Sequence, residues 1–165
     1  MPPPAAAIFA LLLIVTGIAK LSRPNDTARA LAAMRLPFPG LLTRLVAISE
    51  VAIGVGGLAV GTPMLFAAQA LLYALFLGWV ATALAKGVPI ASCGCLGRED
   101  TPPYVGHLIL NAFGVFASVG AAITGTMSVE GILEVVALLL LVVVGTALAW
   151  TVLDEGARIS ALVTK

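Results

Sequence analysis

Five stretches of almost unbroken apolar residues divide the chain: 4–21, 41–60, 63–84, 104–124 and 130–152. Each is close to the roughly 20 helical residues that cross about 30 Å of hydrocarbon at about 1.5 Å per residue. Polar residues gather at the borders of these stretches, together with proline and glycine. The first stretch, for example, closes on Lys20 and Ser22-Arg23-Pro24, where the proline ring stops a helix from continuing. This pattern predicts an all-α polytopic membrane helix bundle of about five transmembrane helices, built as a single membrane domain over 1–165. Short connections make successive spans neighbours. Between the first two spans, residues 25–35 alternate differently. Asn25 or Asp26 can cap a short helix, with Ala30, Leu31 and Met34 on one face and Arg29 and Arg35 kept polar. Such a segment is expected to lie in the membrane interface, and Leu36-Pro37-Phe38-Pro39-Gly40 then turns the chain back into the bilayer.

Composition supports this picture. Apolar residues make up 61% of the chain and charged residues 10%, against roughly 25% charge in a soluble domain. Mean hydropathy is +1.12. The net charge of +1 provides no basic face for nucleic acid. The first span has no Lys or Arg before it, unlike a cleaved signal peptide, and is expected to be retained. In a five-span topology all nine Lys and Arg residues fall on one side. The positive-inside rule then puts the amino terminus outside, and the interfacial helix, the 86–103 loop and the carboxy terminus in the cytoplasm. Small residues within the spans, Gly54-Val55-Gly56-Gly57 and Gly114 with Ser118, suit close helix packing in a bilayer.

Two places carry chemistry. The first is Ala91-Ser92-Cys93-Gly94-Cys95-Leu96-Gly97, in the loop 86–103. Cys93 and Cys95 can close a small, strained disulfide, which suits exchange better than stability, and Gly94 relaxes the backbone for closure. Lys86, Arg98 and the start of the fourth span favour the nucleophilic thiolate. Two alternatives stand beside redox work. One is Cu(I) or zinc handling with His107 as a third ligand, although a closed zinc site needs four. The other is a pair of small apolar residues in a loop. The second place is Glu50, near the middle of the second span, where an ionisable group needs a partner such as Lys20, Gln69 or Asn111. A structural ion pair and a role in proton handling are both open there. Glu99-Asp100 and Asp154-Glu155 are expected to be solvated interfacial carboxylates. The chain contains no phosphate-cradling glycine loop, no Ser/His/Asp order and no zinc-protease helix.

Several of these residues together resemble the MauE/DoxX-like small membrane proteins associated with thiol redox. They are Gly17-Ile18-Ala19-Lys20-Leu21-Ser22-Arg23-Pro24, the amphipathic stretch up to Leu36-Pro37, Glu50, Ser92-Cys93-Gly94-Cys95-Leu96-Gly97 and Asn111. The resemblance covers about residues 8 to 125. It departs from the family pattern at Leu96, where an aromatic residue is common, and in the fifth span. It implies a four-helix core similar to quinone-linked disulfide-forming enzymes, with quinone as the candidate cofactor and a bacterial plasma membrane as the location. The implied partner is a thioredoxin-like protein or a disulfide-containing client, with Cys93 and Cys95 as the exchanging pair. The resemblance adds Gly94, Lys20, Glu50 and Asn111 as supporting residues, with the roles of Lys20 and Glu50 unassigned. Disulfide-forming relatives hold their cysteines on the extracytoplasmic side, opposite to the charge-based placement. A non-catalytic accessory subunit of a larger membrane complex is the alternative from a different class, favoured by the scarcity of polar groups.

Overall fold

The computed structural model describes residues 1–86, 104–126 and 132–163. These residues form, in chain order, α1 (Pro4–Ser22), α2 (Pro24–Ala33), α3 (Pro39–Ala59), α4 (Pro63–Ala85), α5 (Val105–Thr124) and α6 (Ile132–Val163). Four helices, α1, α3, α4 and α5, are long and apolar enough to cross a membrane, and α6 carries a shorter apolar stretch, Val135–Ala149. The protein is a multi-pass membrane helix bundle.

Proline sets the starts. Pro4, Pro24, Pro39 and Pro63 each occupy the first turn of their helices, where a missing N–H removes no helical bond and a fixed φ suits the helix. Thr62 adds a side-chain cap to α4, accepting from the backbone N–H of Leu65 at 3.4 Å. The expected cap of α2 is corrected. Pro24 draws the helix start upstream, so Arg23 is the N-cap residue and makes no side-chain cap bond. Asp26 therefore falls in the first turn, where a carboxylate is favoured by the helix dipole, and it accepts from Arg29 Nη2 at 2.6 Å. The turn before α3 contains two non-glycine residues with positive φ, Arg35 (59°) and Phe38 (50°).

Helix α1 lies along α3, α4 lies along α5, and α1 also meets α2, α5 and α6. Glycines create the closest approaches. A Cβ at Gly54 would stand 2.6 Å from the Ala10 carbonyl oxygen, and one at Gly114 would stand 2.7 Å from the Tyr73 ring. In a bilayer apolar side chains gain little by leaving lipid, so this backbone intimacy, and not burial area, holds the helices together. Small apolar clusters fill the remaining interior: Ala6, Phe66 and Ala121; Leu13, Leu72 and Tyr73; Ala30 of α2 against Ala83 of α4. The outward faces are apolar too, with Met64, Phe116, Ile123 and Leu133 largely exposed. Large apolar side chains facing outward are the arrangement a lipid solvent requires.

Helix α6 extends further than the 130–152 expected from hydropathy, running to Val163. After Val152 the sequence becomes polar but contains no proline, and helix-forming Leu, Ala, Glu and Arg residues continue the backbone pattern. A Cβ at Gly145 would stand 2.6 Å from Ile8 Cδ1, so α6 approaches α1 closely there.

Candidate functional site

The most polar point in the bundle is formed where α1 crosses α3. Gly17 permits it: a Cβ there would lie 2.8 Å from Val51 Cγ2, 2.9 Å from the Ala47 carbonyl oxygen and 3.0 Å from Glu50 Cβ. With the two backbones this close, Lys20 Nζ donates to Glu50 Oε1 at 2.7 Å. Both side chains are withdrawn from the surface, at 2% and 1% exposure. Thr16 Oγ1 lies 3.2 Å from the same carboxylate oxygen. It also faces the carbonyls of Leu12 and Leu13, at 2.9 and 3.2 Å, so its single proton serves one of the three at a time. Lys20 Nζ stands 5.4 Å from the centroid of the Phe76 ring, within cation–π range.

Of the partners that the sequence leaves open for Glu50, the structure selects Lys20. Gln69 and Asn111 are bonded elsewhere. Gln69 Nε2 donates to the Ala6 carbonyl at 3.1 Å, tying α4 to α1. Asn111 Nδ2 donates to the His107 carbonyl within α5 at 2.7 Å. Two contributors escaped the sequence reading. Thr16 precedes Lys20 by one helical turn, a spacing that could have flagged it. Tyr73 is a lone phenol in an apolar span. Its hydroxyl donates to the Phe9 carbonyl at 2.7 Å, and its ring packs edge-on against Phe9 and Phe76.

His107 lies in the first turn of α5 and is buried at 1% exposure. Its ring meets Tyr104 edge to face at 4.6 Å, and neither ring nitrogen has a hydrogen-bond partner among the described residues. Partial burial of Tyr104, just before the helix, pushes its phenol above the ordinary range and keeps it neutral. Among the described residues no three His, Cys, Asp or Glu side chains gather in a way that could hold a metal ion.

Cys93, Gly94 and Cys95 lie outside the described residues. Their place in the chain is nevertheless constrained by its neighbours, because Lys86 closes α4, Tyr104 precedes α5, and these two helices pack against each other. Lys86 and Tyr104, the described residues on either side, thus lie at one end of the bundle. Phe76, at the level of the Lys20–Glu50 pair, is ten residues from Lys86, or about 15 Å along α4. Exposed Arg23, Arg35, Arg44 and Lys86 belong to the helix ends that meet at this same end of the bundle.

A family model described as methylamine utilisation protein MauE matches residues 4–128. No curated protein and no solved structure matches the chain.

Proposed function

This chain belongs to the MauE family of methylamine utilisation proteins, and from that premise we propose that it is a membrane-embedded maturation factor working by thiol-disulfide exchange through Cys93 and Cys95. The observation that carries the reading is the extent of the family match. It runs over residues 4–128 and so encloses the cysteine pair together with Lys20, Glu50 and Asn111.

The exchange needs no reagent beyond the pair and its partner. A thiolate of a thioredoxin-like protein or client attacks one sulfur of the Cys93–Cys95 disulfide. A mixed disulfide forms, and the other cysteine leaves as a thiolate. The partner's second thiolate then attacks the mixed disulfide, which closes the partner's own disulfide and releases the second cysteine. Two electrons pass to Cys93 and Cys95, two protons follow them, and the reverse sequence reduces a client by the same bonds. A two-residue spacing around Gly94 strains the closed ring, which favours its opening by a partner thiolate and so the transfer of the disulfide to the partner. The Lys20–Glu50 pair and Asn111 belong to the helices covered by the same family match.

Trapping tests the proposal. With Cys95→Ser, the Cys93 thiolate can still open a disulfide of the partner and form a mixed disulfide, which no second cysteine of this chain can resolve, so an oxidised partner should accumulate covalently attached and be released by reductant. The Cys93→Ser/Cys95→Ser protein should trap nothing. Normal client maturation in cells carrying only that double variant would rule the mechanism out.

A further inference from the structure

Among the described residues, the buried side-chain polar atoms left without a hydrogen-bond partner are Glu50 Oε2, Gln69 Oε1 and the two ring nitrogens of His107. Of these three side chains, Glu50 is the one whose ionised form is negative. A carboxylate spreads its charge over both oxygens and offers about four acceptor positions. Both polar contacts of Glu50, to Lys20 and to Thr16, fall on Oε1. Oε2 faces no donor among the described residues, beside the glycine-tight crossing of α1 and α3.

Lys20 is supported differently. Its ammonium has the face of Phe76 at 5.4 Å as well as the carboxylate at 2.7 Å. Neutralising Glu50 would therefore leave the lysine with a favourable neighbour, while relieving the oxygen that has none. The other titratable groups on the elements packed against α3 are bonded elsewhere. Tyr73 of α4 gives its hydroxyl hydrogen to the Phe9 carbonyl at 2.7 Å. Asp26 of α2 is bonded to Arg29 at 2.6 Å.

We propose that Glu50 is an exchangeable proton-binding site inside the bundle, taking and releasing a proton at Oε2 while Oε1 stays bonded to Lys20. Uptake forms one O–H bond at Oε2 with a proton drawn from water. It converts a neutral ion pair into a site carrying one positive charge beside the Phe76 ring. Release restores the ion pair and returns the proton to water. Dithiol-disulfide conversion moves two protons with its two electrons, so such a site, about 15 Å along α4 from Lys86, gives the exchange a proton store within the membrane. That use rests on the proposed function, whereas the protonation of Glu50 does not.

The test is infrared spectroscopy of the full chain in lipid nanodiscs, following the protonated-carboxyl stretch through a pH titration, with no thiol partner present. The wild-type protein should show a component that grows as pH falls, moves on carbon-13 labelling of glutamate and is missing from Glu50→Gln at the same pH. Lys20→Met should hold that component to higher pH, because removing the cation disfavours the carboxylate. Wild-type and Glu50→Gln spectra that superimpose wherever both remain folded would overturn the proposal and leave a permanently ionised structural pair. Should Glu50→Gln fail to fold, Lys20→Met decides: a titration identical to wild type overturns the proposal, and the upward shift supports it. Loss of thiol trapping with this titration intact would strike the proposed function alone.

Discussion

Lys20 and Glu50, thirty residues apart in sequence, meet at 2.7 Å across the α1–α3 crossing, where neither is more than 2% exposed. Charges at such depth are tolerated as a pair and poorly singly, because the low-dielectric surroundings penalise an isolated ion much more than a neutral couple. Lys20→Met should therefore destabilise the bundle, by about 3–5 kcal/mol where Glu50 stays ionised and by less at pH where it is protonated. Lys20→Met/Glu50→Met should recover most of that loss, since it removes both charges together. Unfolding in mixed micelles measures the cycle, and a double variant as unstable as the sum of the singles would show that the two residues act independently.

Glycine contacts separate helix packing from helix propensity. Gly54→Ala drives a methyl group toward the Ala10 carbonyl oxygen, a backbone atom that cannot swing aside, and should cost about 1–3 kcal/mol. Gly78 has no atom within 4 Å of its would-be Cβ. Gly78→Ala should be neutral or stabilise by up to about 1 kcal/mol, because alanine is the better helix former. Equal thermal shifts for the two substitutions would contradict the close α1–α3 approach.

Tyr73→Phe removes the hydroxyl that joins α4 to the Phe9 carbonyl and keeps the ring in its edge-to-face contacts. Interhelical hydrogen bonds in membranes average about 0.6 kcal/mol, so the loss should be small, near that value. Tyr73→Ala also opens space beside Gly114 and should cost several times more. The two variants are compared by the same unfolding assay.

The charge distribution predicts orientation. In a Cys93→Ser/Cys95→Ser background, Val60→Cys, exposed between α3 and α4, should react with an impermeant maleimide in intact cells. Arg35→Cys, at the basic end, should react only after permeabilisation. The opposite pattern would place the basic end outside the cytoplasm.

Much of this architecture is legible in the residues because membrane spans announce themselves by length and hydropathy. The apolar stretches 63–84 and 104–124 fold as the helices Pro63–Ala85 and Val105–Thr124, since proline or a polar border marks each start. The cap of α2 was misplaced because Asn25 and Asp26 are strong capping types, while Pro24 fixed the first helical position ahead of them. Lys20 and Glu50 stand out as charges within apolar spans. Their pairing depends on the registry of α1 against α3, which Gly17 sets by fit and no periodicity encodes. Thr16 and Tyr73 were missed for a related reason: each is ordinary in a span until packing shows what its hydroxyl faces.

The most direct test of the central claim is the redox state of Cys93 and Cys95 in native membranes, read by mass-shift alkylation of denatured protein with and without prior reduction. The account predicts a measurable fraction in which both cysteines resist alkylation until reduced, and a change in that fraction when a thioredoxin-like partner or client is depleted. Two cysteines that alkylate fully without reductant, whatever the state of the partners, would contradict thiol-disulfide exchange as the function of this pair.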